Sequence, residues 1–230
     1  MKHIQAVAFD LDGTLVDSVP DLAASANAMR QAMQLPELPR DAVQSYVGDG
    51  ISVLVHRALT ANHHGKADLA TWEQGYSLFV RHYALNIANA TRPYPETEAA
   101  LGLLRSLELP LAVVTNKSEM LAVKLLKDLQ LNDYFSIVVG GDTLPERKPS
   151  PEPLLYVADV LGVAPENMLM VGDSHNDMLA AKSAGCPSVG VDFGYGDMAE
   201  LSRHADTKPD YVVQSLVQIY EQIKAARQIA

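Results

Sequence analysis

Six short apolar runs constrain this chain more than any other feature: Ala6–Phe9, Leu111–Thr115, Ile137–Gly140, Met168–Val171, Ser188–Val191 and Tyr211–Val213. Several show no polar alternation. A strand that is apolar on successive residues needs cover on both faces, and sheets buried on both faces are typically parallel, with helices packed above and below. Helical patterns fall between several of the last five runs. Leu121, Leu125 and Leu129 recur every fourth residue behind Ser118, a candidate N-cap. Leu154, Leu155, Ala158 and Leu161 follow Pro151, which suits a first helical turn. A last helix with Leu216, Ile219, Tyr220 and Ile223 follows the final run. Strand–helix alternation of this kind predicts an α/β protein with a doubly wound, Rossmann-like parallel sheet.

Between the first run and Pro93 the alternation stops. Leu22, Ala26, Met29 and Met33 make one helical stripe; Ile51, Leu54, Val55 and Ala58 belong to another; Trp72, Tyr76, Phe79, Val80 and Tyr83 make a third. Such a stretch is too long for an ordinary loop. Arg92-Pro93-Tyr94-Pro95 is rigid punctuation where the chain returns to the sheet. The pattern predicts an α/β core from residues 1–16 and 93–230 and an all-helical insert over 17–92.

The bulk properties narrow the class. With 48% hydrophobic residues over 230, the chain can bury a core without staples. Cys186 is its single cysteine, so no intrachain disulfide forms, which suits a reducing compartment. The formal charge of -10 argues against a nucleic-acid partner, which needs a basic face. No apolar segment is long enough for a signal peptide or a membrane span, so a soluble, cytoplasmic protein is expected.

The first run ends in Asp10-Leu11-Asp12-Gly13-Thr14-Leu15-Val16-Asp17-Ser18. Two carboxylates one residue apart at a strand end can hold a hard divalent cation and leave an oxygen to attack an electrophile. Three further pieces fall on the same edge of a parallel sheet, where sites form. They are Thr115-Asn116-Lys117 after the second run, Lys148 at a helix start in Arg147-Lys148-Pro149-Ser150-Pro151, and Gly172-Asp173-Ser174-His175-Asn176-Asp177 after the fourth. Asp10 and Asp173 offer metal ligands. Lys148, the Thr115 hydroxyl and backbone N–H groups offer the positive charge and donors that a phosphoryl group in transfer needs.

As an ordered set, FDLDGTLVDS at Phe9–Ser18, VVTNK at Val113–Lys117, RKPSPEP at Arg147–Pro153 and VGDSHND at Val171–Asp177 resemble the haloacid dehalogenase-like hydrolase superfamily. The helical insert lies where that family carries its cap. The resemblance implies that Asp10 attacks phosphorus to give an aspartyl-phosphate, and that Asp12 protonates the leaving group and later activates water. It implies that Asp10, the backbone carbonyl of Asp12, and Asp173 hold Mg2+. Thr115, Asn116 and Lys148 would bind the phosphoryl group, and Asp177 would orient Lys148 or support the metal's surroundings. Asp12 separates phosphatases from the dehalogenase branch, because a halide leaves without a proton and an alkoxide does not.

Closer similarity, to the phosphoglycolate phosphatase group, rests on TLVDSVPDLAASAN at Thr14–Asn27, YVGDGISVLVHRAL at Tyr46–Leu59, TNKSEMLAVKLLKDLQLNDYF at Thr115–Phe135 and GGDTLPERKPSPEPLL at Gly140–Leu155. It implies hydrolysis of 2-phosphoglycolate. In the insert, Gly48 and Gly50 would let backbone N–H groups approach the substrate carboxylate, and Arg57 would pair with it. The alternatives are a sugar-phosphate, nucleotide or pyrophosphate hydrolase, a phosphomutase, or a non-catalytic sensor, for which an acid/base at Asp12 has no use. The expected partner is a small phosphate ester, and the chain is expected to be a monomer or homodimer. Lys117 reads as a surface charge, His63-His64 as solvated, His175 as exposed, Ser174 as a helix cap and Cys186 as a small core residue.

Overall fold

Each of the six apolar runs forms a strand of one parallel sheet in a computed structural model that describes residues 1–228. The elements run β1 (Ala6–Phe9), β2 (Val16–Asp17), α1 (Val19–Ala32), α2 (Arg40–Gln44), α3 (Ile51–Thr60), α4 (Leu69–Asn86), β3 (Arg92–Pro93), α5 (Thr97–Arg105), β4 (Leu111–Val114), α6 (Glu119–Asp128), β5 (Ile137–Val139), α7 (Glu152–Leu161), β6 (Met168–Gly172), α8 (His175–Ala184), β7 (Ser188–Val191), α9 (Met198–Leu201), β8 (Tyr211–Val213) and α10 (Val217–Gln228). By its internal contacts the chain divides into two compact units. One is Met1–Val16 with the chain from Pro93 onward, and the other is Asp17–Arg92.

In the first unit the strand order is β5-β4-β1-β6-β7-β8, with every adjacent pair parallel. The chain starts at β1, builds outward through β4 and β5, then returns to place β6 on the other side of β1. The winding direction therefore reverses between β1 and β6, and the carboxyl edge at such a switch point is where α/β sheets bind ligands. All four residues of β1, of β4 and of β7, and all five of β6, are buried, as two-sided cover requires. Ala6, Ala8 and Ala112 on one sheet face meet Ala180, Ala181 and Ala184 of α8 and Leu154, Val157 and Ala158 of α7 in one apolar cluster. Alanines on the sheet face meet alanines on α8 and larger side chains on α7.

Two local details differ from the sequence reading. Ser118 is the N-cap residue of α6 but makes no side-chain cap. Asp142 does that work from the loop after β5, accepting the Glu119 amide at 2.7 Å. A carboxylate at a helix N-terminus also meets the positive end of the helix dipole. Pro151 occupies the N-cap position of α7, just outside its first turn.

The second unit is helical, and the three stripes seen in the sequence lie on α1, α3 and α4. Leu22, Ala26, Met29, Leu54, Val55, Ala58, Phe79 and Tyr83 are all buried, whereas Met33 falls just past α1. Asp21, buried on α1, accepts the amides of Ala90 and Thr91 and the Thr91 hydroxyl at 2.7–3.0 Å. Those bonds fix the chain after α4 against α1. Buried Arg30 donates to the carbonyls of Pro36 and Ala58, closing the loop after α1 onto α3. The two-residue strands β2 and β3, which the sequence did not signal, pair at the points where the chain passes between the units.

Candidate active site

Asp10 is the first residue beyond β1, and its amide donates to the carbonyl of Val171 in β6 at 2.8 Å. That bond sets it at the switch point. Lys148 Nζ donates to Asp10 Oδ1 at 2.9 Å, to Asp177 Oδ1 at 2.6 Å and to the Val114 carbonyl at 2.6 Å. An ammonium has three protons, and all three are used. Burial pulls the Lys148 pKa down, but Asp10 and Asp177 outweigh it and hold the pKa above the usual lysine value. Asp177, in the first turn of α8, accepts the amide and hydroxyl of the N-cap Ser174 on Oδ2 at 3.0 and 2.7 Å. One carboxylate thus caps a helix and orients the lysine.

Asp173 follows β6. Its Oδ2 accepts the amides of Tyr195 and Gly196 at 2.7 and 3.3 Å, and its Oδ1 the Thr14 hydroxyl at 3.3 Å. Glycines make this seat possible. A Cβ on Gly13 would stand 2.3 Å from Asp173 Oδ2, and one on Gly196 2.0 Å from the Asp173 carbonyl oxygen. Gly13 also has φ +88°, a conformation that only glycine adopts at low cost.

Oxygens of Asp10, Asp173 and Asp177 lie within 4.8 Å of one another, all three residues buried. Burial, reinforced by the charges of Asp10 and Asp177, lifts Asp173 to about 8 against the pull of the Tyr195 and Gly196 amides. Burial lifts Asp10 to about 6; Lys148 opposes the rise, and Asp177 and Asp12 add to it. Oxygen donors packed this closely repel one another and suit a hard divalent cation, which would remove that cost.

The pH dependence follows from the sign of these shifts. Both folded pKa values lie above the unfolded value of 3.8, so between them the folded state binds more protons than the unfolded one. The contribution of these two acids to metal-free stability therefore falls as pH rises from about 4 to about 8. Thermal scans with and without Mg2+ should show stabilisation by several degrees at pH 8 and much less at pH 5. Equal shifts at both pH values would contradict the repulsion.

Lys117 departs from the expectation of a surface charge. It is not a surface charge: it is 4% exposed, and its Nζ donates to both oxygens of Asp12 at 2.7 Å. Its side chain reaches from the end of β4 to the end of β1, which nothing in the local sequence announces. Thr115 and Asn116 are buried beside it. Thr115 Oγ1 accepts the Lys117 amide at 3.2 Å, and Asn116 Nδ2 donates to the Lys148 carbonyl at 2.9 Å, tying the loop that presents the lysine. Asn176 is buried in α8, and the turn at Gly194-Tyr195-Gly196, a candidate neighbour of the site by sequence, supplies the Tyr195 and Gly196 amides to Asp173, a role that the sequence does not assign.

Gly48, Gly50 and Arg57 lie in the helical unit. Both glycines have positive φ, +121° and +85°, so this turn needs them. The structure employs Arg57 otherwise than as a waiting cation. Its guanidinium pairs with Asp49 at 2.7 Å and donates to the carbonyls of His63 at 2.8 Å and Tyr46 at 3.1 Å, clamping the turn. His63, His64 and His175 are exposed. Burial pushes the Cys186 thiol up to about 12, which leaves it an inert core residue.

A doubly wound parallel sheet with acids converging on its switch point defines an α/β protein with an oxygen-rich site suited to a hard cation. The chain belongs to the haloacid dehalogenase-like hydrolase family, whose model matches residues 7–191. A phosphoglycolate phosphatase from Neisseria meningitidis is 58% identical over 224 residues, covering 97% of this chain and 95% of that protein. A phosphoglycolate phosphatase from Escherichia coli is 42% identical over 233 residues, covering 94% and 90%. The crystal structure of a predicted phosphoglycolate phosphatase from Haemophilus somnus superposes with a TM-score of 0.89 at 34% identity, covering 96% of this chain and 99% of that one.

Proposed function

We propose that this chain is a Mg2+-dependent phosphatase that hydrolyses 2-phosphoglycolate to glycolate and phosphate. The observation that carries the reading is the buried Asp10–Lys148–Asp177 ion-pair chain with Asp173 beside it. It supplies a nucleophile, a fixed cation and metal ligands at one sheet edge. The names of relatives at 58% and 42% identity support the substrate.

Under this reading an Asp10 oxygen attacks phosphorus. The bond from phosphorus to the ester oxygen breaks as the aspartyl-phosphate forms, and Asp12 gives its proton to the departing oxygen. Asp12 then takes a proton from a water whose oxygen attacks the same phosphorus, releasing phosphate and restoring Asp10. Lys148, the Thr115 hydroxyl and the Asn116 amide hold the phosphoryl oxygens. Asp10, Asp173 and the backbone carbonyl of Asp12 would hold Mg2+, which supplies positive charge against the developing phosphoryl charge. Residues 17–92 correspond to the family's cap, within which Gly48, Gly50 and Arg57 shape one turn. The reading places the protein in the cytoplasm, as a monomer or homodimer acting on a small ester. No helix among the described residues is long and apolar enough to cross a membrane.

The test is a panel of phosphate esters compared by kcat/KM. Phosphoglycolate should exceed a hexose phosphate, a nucleoside monophosphate and pyrophosphate by about tenfold or more. A sugar phosphate or nucleotide turned over faster would replace the substrate, and an isomer formed without phosphate release would make the protein a mutase.

A further inference from the structure

We infer that Lys117 selects an anionic leaving group: its ammonium, held at rest on both oxygens of Asp12, passes to a carboxylate that the substrate carries beside its ester oxygen. The inference rests on the proposed role of Asp12 at the ester oxygen in phosphoglycolate hydrolysis.

The geometry allows few other uses for this lysine. Its side chain is 2% exposed and that of Asp12 is 12% exposed, so the pair opens outward through Asp12. The backbone of Lys117 is fixed on both sides, its amide on Thr115 Oγ1 at 3.2 Å and its carbonyl on the Gly141 amide at 2.8 Å. A buried ammonium is costly without a counter-charge, so it leaves one carboxylate only for another anion. Lys148, the other buried lysine of this edge, has its three protons committed to Asp10, Asp177 and Val114. It sits against the nucleophile Asp10 rather than the acid/base Asp12, and so serves the phosphoryl group and not the leaving group.

The substrate's chemistry matches. In 2-phosphoglycolate one methylene separates the ester oxygen from the carboxylate. A group placed to protonate that oxygen therefore stands close to where the carboxylate arrives, and its own counter-cation stands next to it. One carboxylate replaces another of the same size on Lys117, and Asp12, relieved of the ammonium, takes from solvent the proton that it delivers to the ester oxygen. A neutral leaving group cannot draw the ammonium away, so Asp12 stays clamped. Lys117 thus links recognition of the leaving group to release of the acid/base.

The experiment compares phosphoglycolate with ethyl phosphate, which keeps the two-carbon chain and lacks the carboxylate. In Lys117→Met, the ratio of kcat/KM for phosphoglycolate to that for ethyl phosphate should fall about 100-fold. Lys117→Arg, which keeps the charge in a different shape, should retain part of the preference. Equal losses on both esters would overturn the inference, because Lys117 would then act only by placing Asp12. A preference that survives Lys117→Met unchanged would overturn it alone. A wild-type protein with no preference for phosphoglycolate over ethyl phosphate would overturn it together with the substrate reading. If Lys117→Met fails to fold by circular dichroism, Lys117→Gln reads the same ratio.

Discussion

Asp10→Asn should abolish turnover and, at pH 8 without metal, make the fold more stable. Asparagine keeps the shape and still accepts a bond from Lys148 Nζ, which lies 2.9 Å from Asp10 Oδ1. It cannot form the acyl phosphate at a useful rate, so kcat should fall on the order of 10⁴-fold or more. Stability moves the other way. Asp10 is lifted to about 6, first by burial, with Asp177 and Asp12 adding to the rise against Lys148, so its ionised form is a cost carried by the folded state above that pH. Removing that charge should stabilise the metal-free protein by on the order of 1–3 kcal/mol at pH 8. The gain should vanish as pH falls toward 4, where the native carboxyl is already neutral. Mg2+ should shrink it at pH 8, because the wild type then has its counter-ion. Urea titrations at pH 8 and pH 5, with and without Mg2+, check the sign. A variant that loses activity and stability together at pH 8 would mean that Asp10 is held chiefly by its pairing with Lys148.

Local pattern makes part of this protein legible in its sequence, and long-range pairing hides the rest. The inner strands are legible because two-sided burial removes polar residues from a run, and β1 and β7 carry the limits expected from the sequence; the edge strand β8 keeps its limits too, although Tyr211 and Val212 are exposed. Asp10 and Asp173 were legible because each directly follows such a run, so a local pattern places them at the edge. Lys148 was found only through its motif, since its partners Asp10 and Asp177 lie 138 and 29 residues away. Lys117 was misread for the same reason. A lysine after a strand is ordinarily solvated, and only the fold shows that it reaches Asp12, 105 residues distant. Arg57 was read as open to a ligand because its spacing from Gly48-Asp49-Gly50 is visible, whereas the carbonyls of His63 and Tyr46 that occupy it are backbone groups with no sequence signature.

Lys148→Met should be among the most damaging single changes to this chain. Lys148 is 3% exposed, and its ammonium stands between the carboxylates of Asp10 and Asp177. Methionine fills similar space, so a packing defect is not the issue. The change leaves Asp10, Asp173 and Asp177, whose oxygens lie within 4.8 Å of one another, without that cation. Breaking a buried ion pair from one side costs about 3–5 kcal/mol, because the remaining charge stays buried. For a chain of this size that lowers Tm by roughly 10 °C or more. Unlike a cavity mutant, this variant should recover part of its stability when the pH is lowered, since protonation of the acids replaces the lost cation, and part with Mg2+. Activity should not recover with stability. The phosphoryl oxygens would still lack the ammonium, and loss of one such stabilising group costs about 10²–10³ in kcat. Thermal scans at pH 5 and pH 8, paired with kcat at a temperature where the variant is folded, separate the two effects. Full activity in a folded Lys148→Met would remove Lys148 from the phosphoryl site and leave it as an ion-pair partner that holds Asp10 and Asp177 in place.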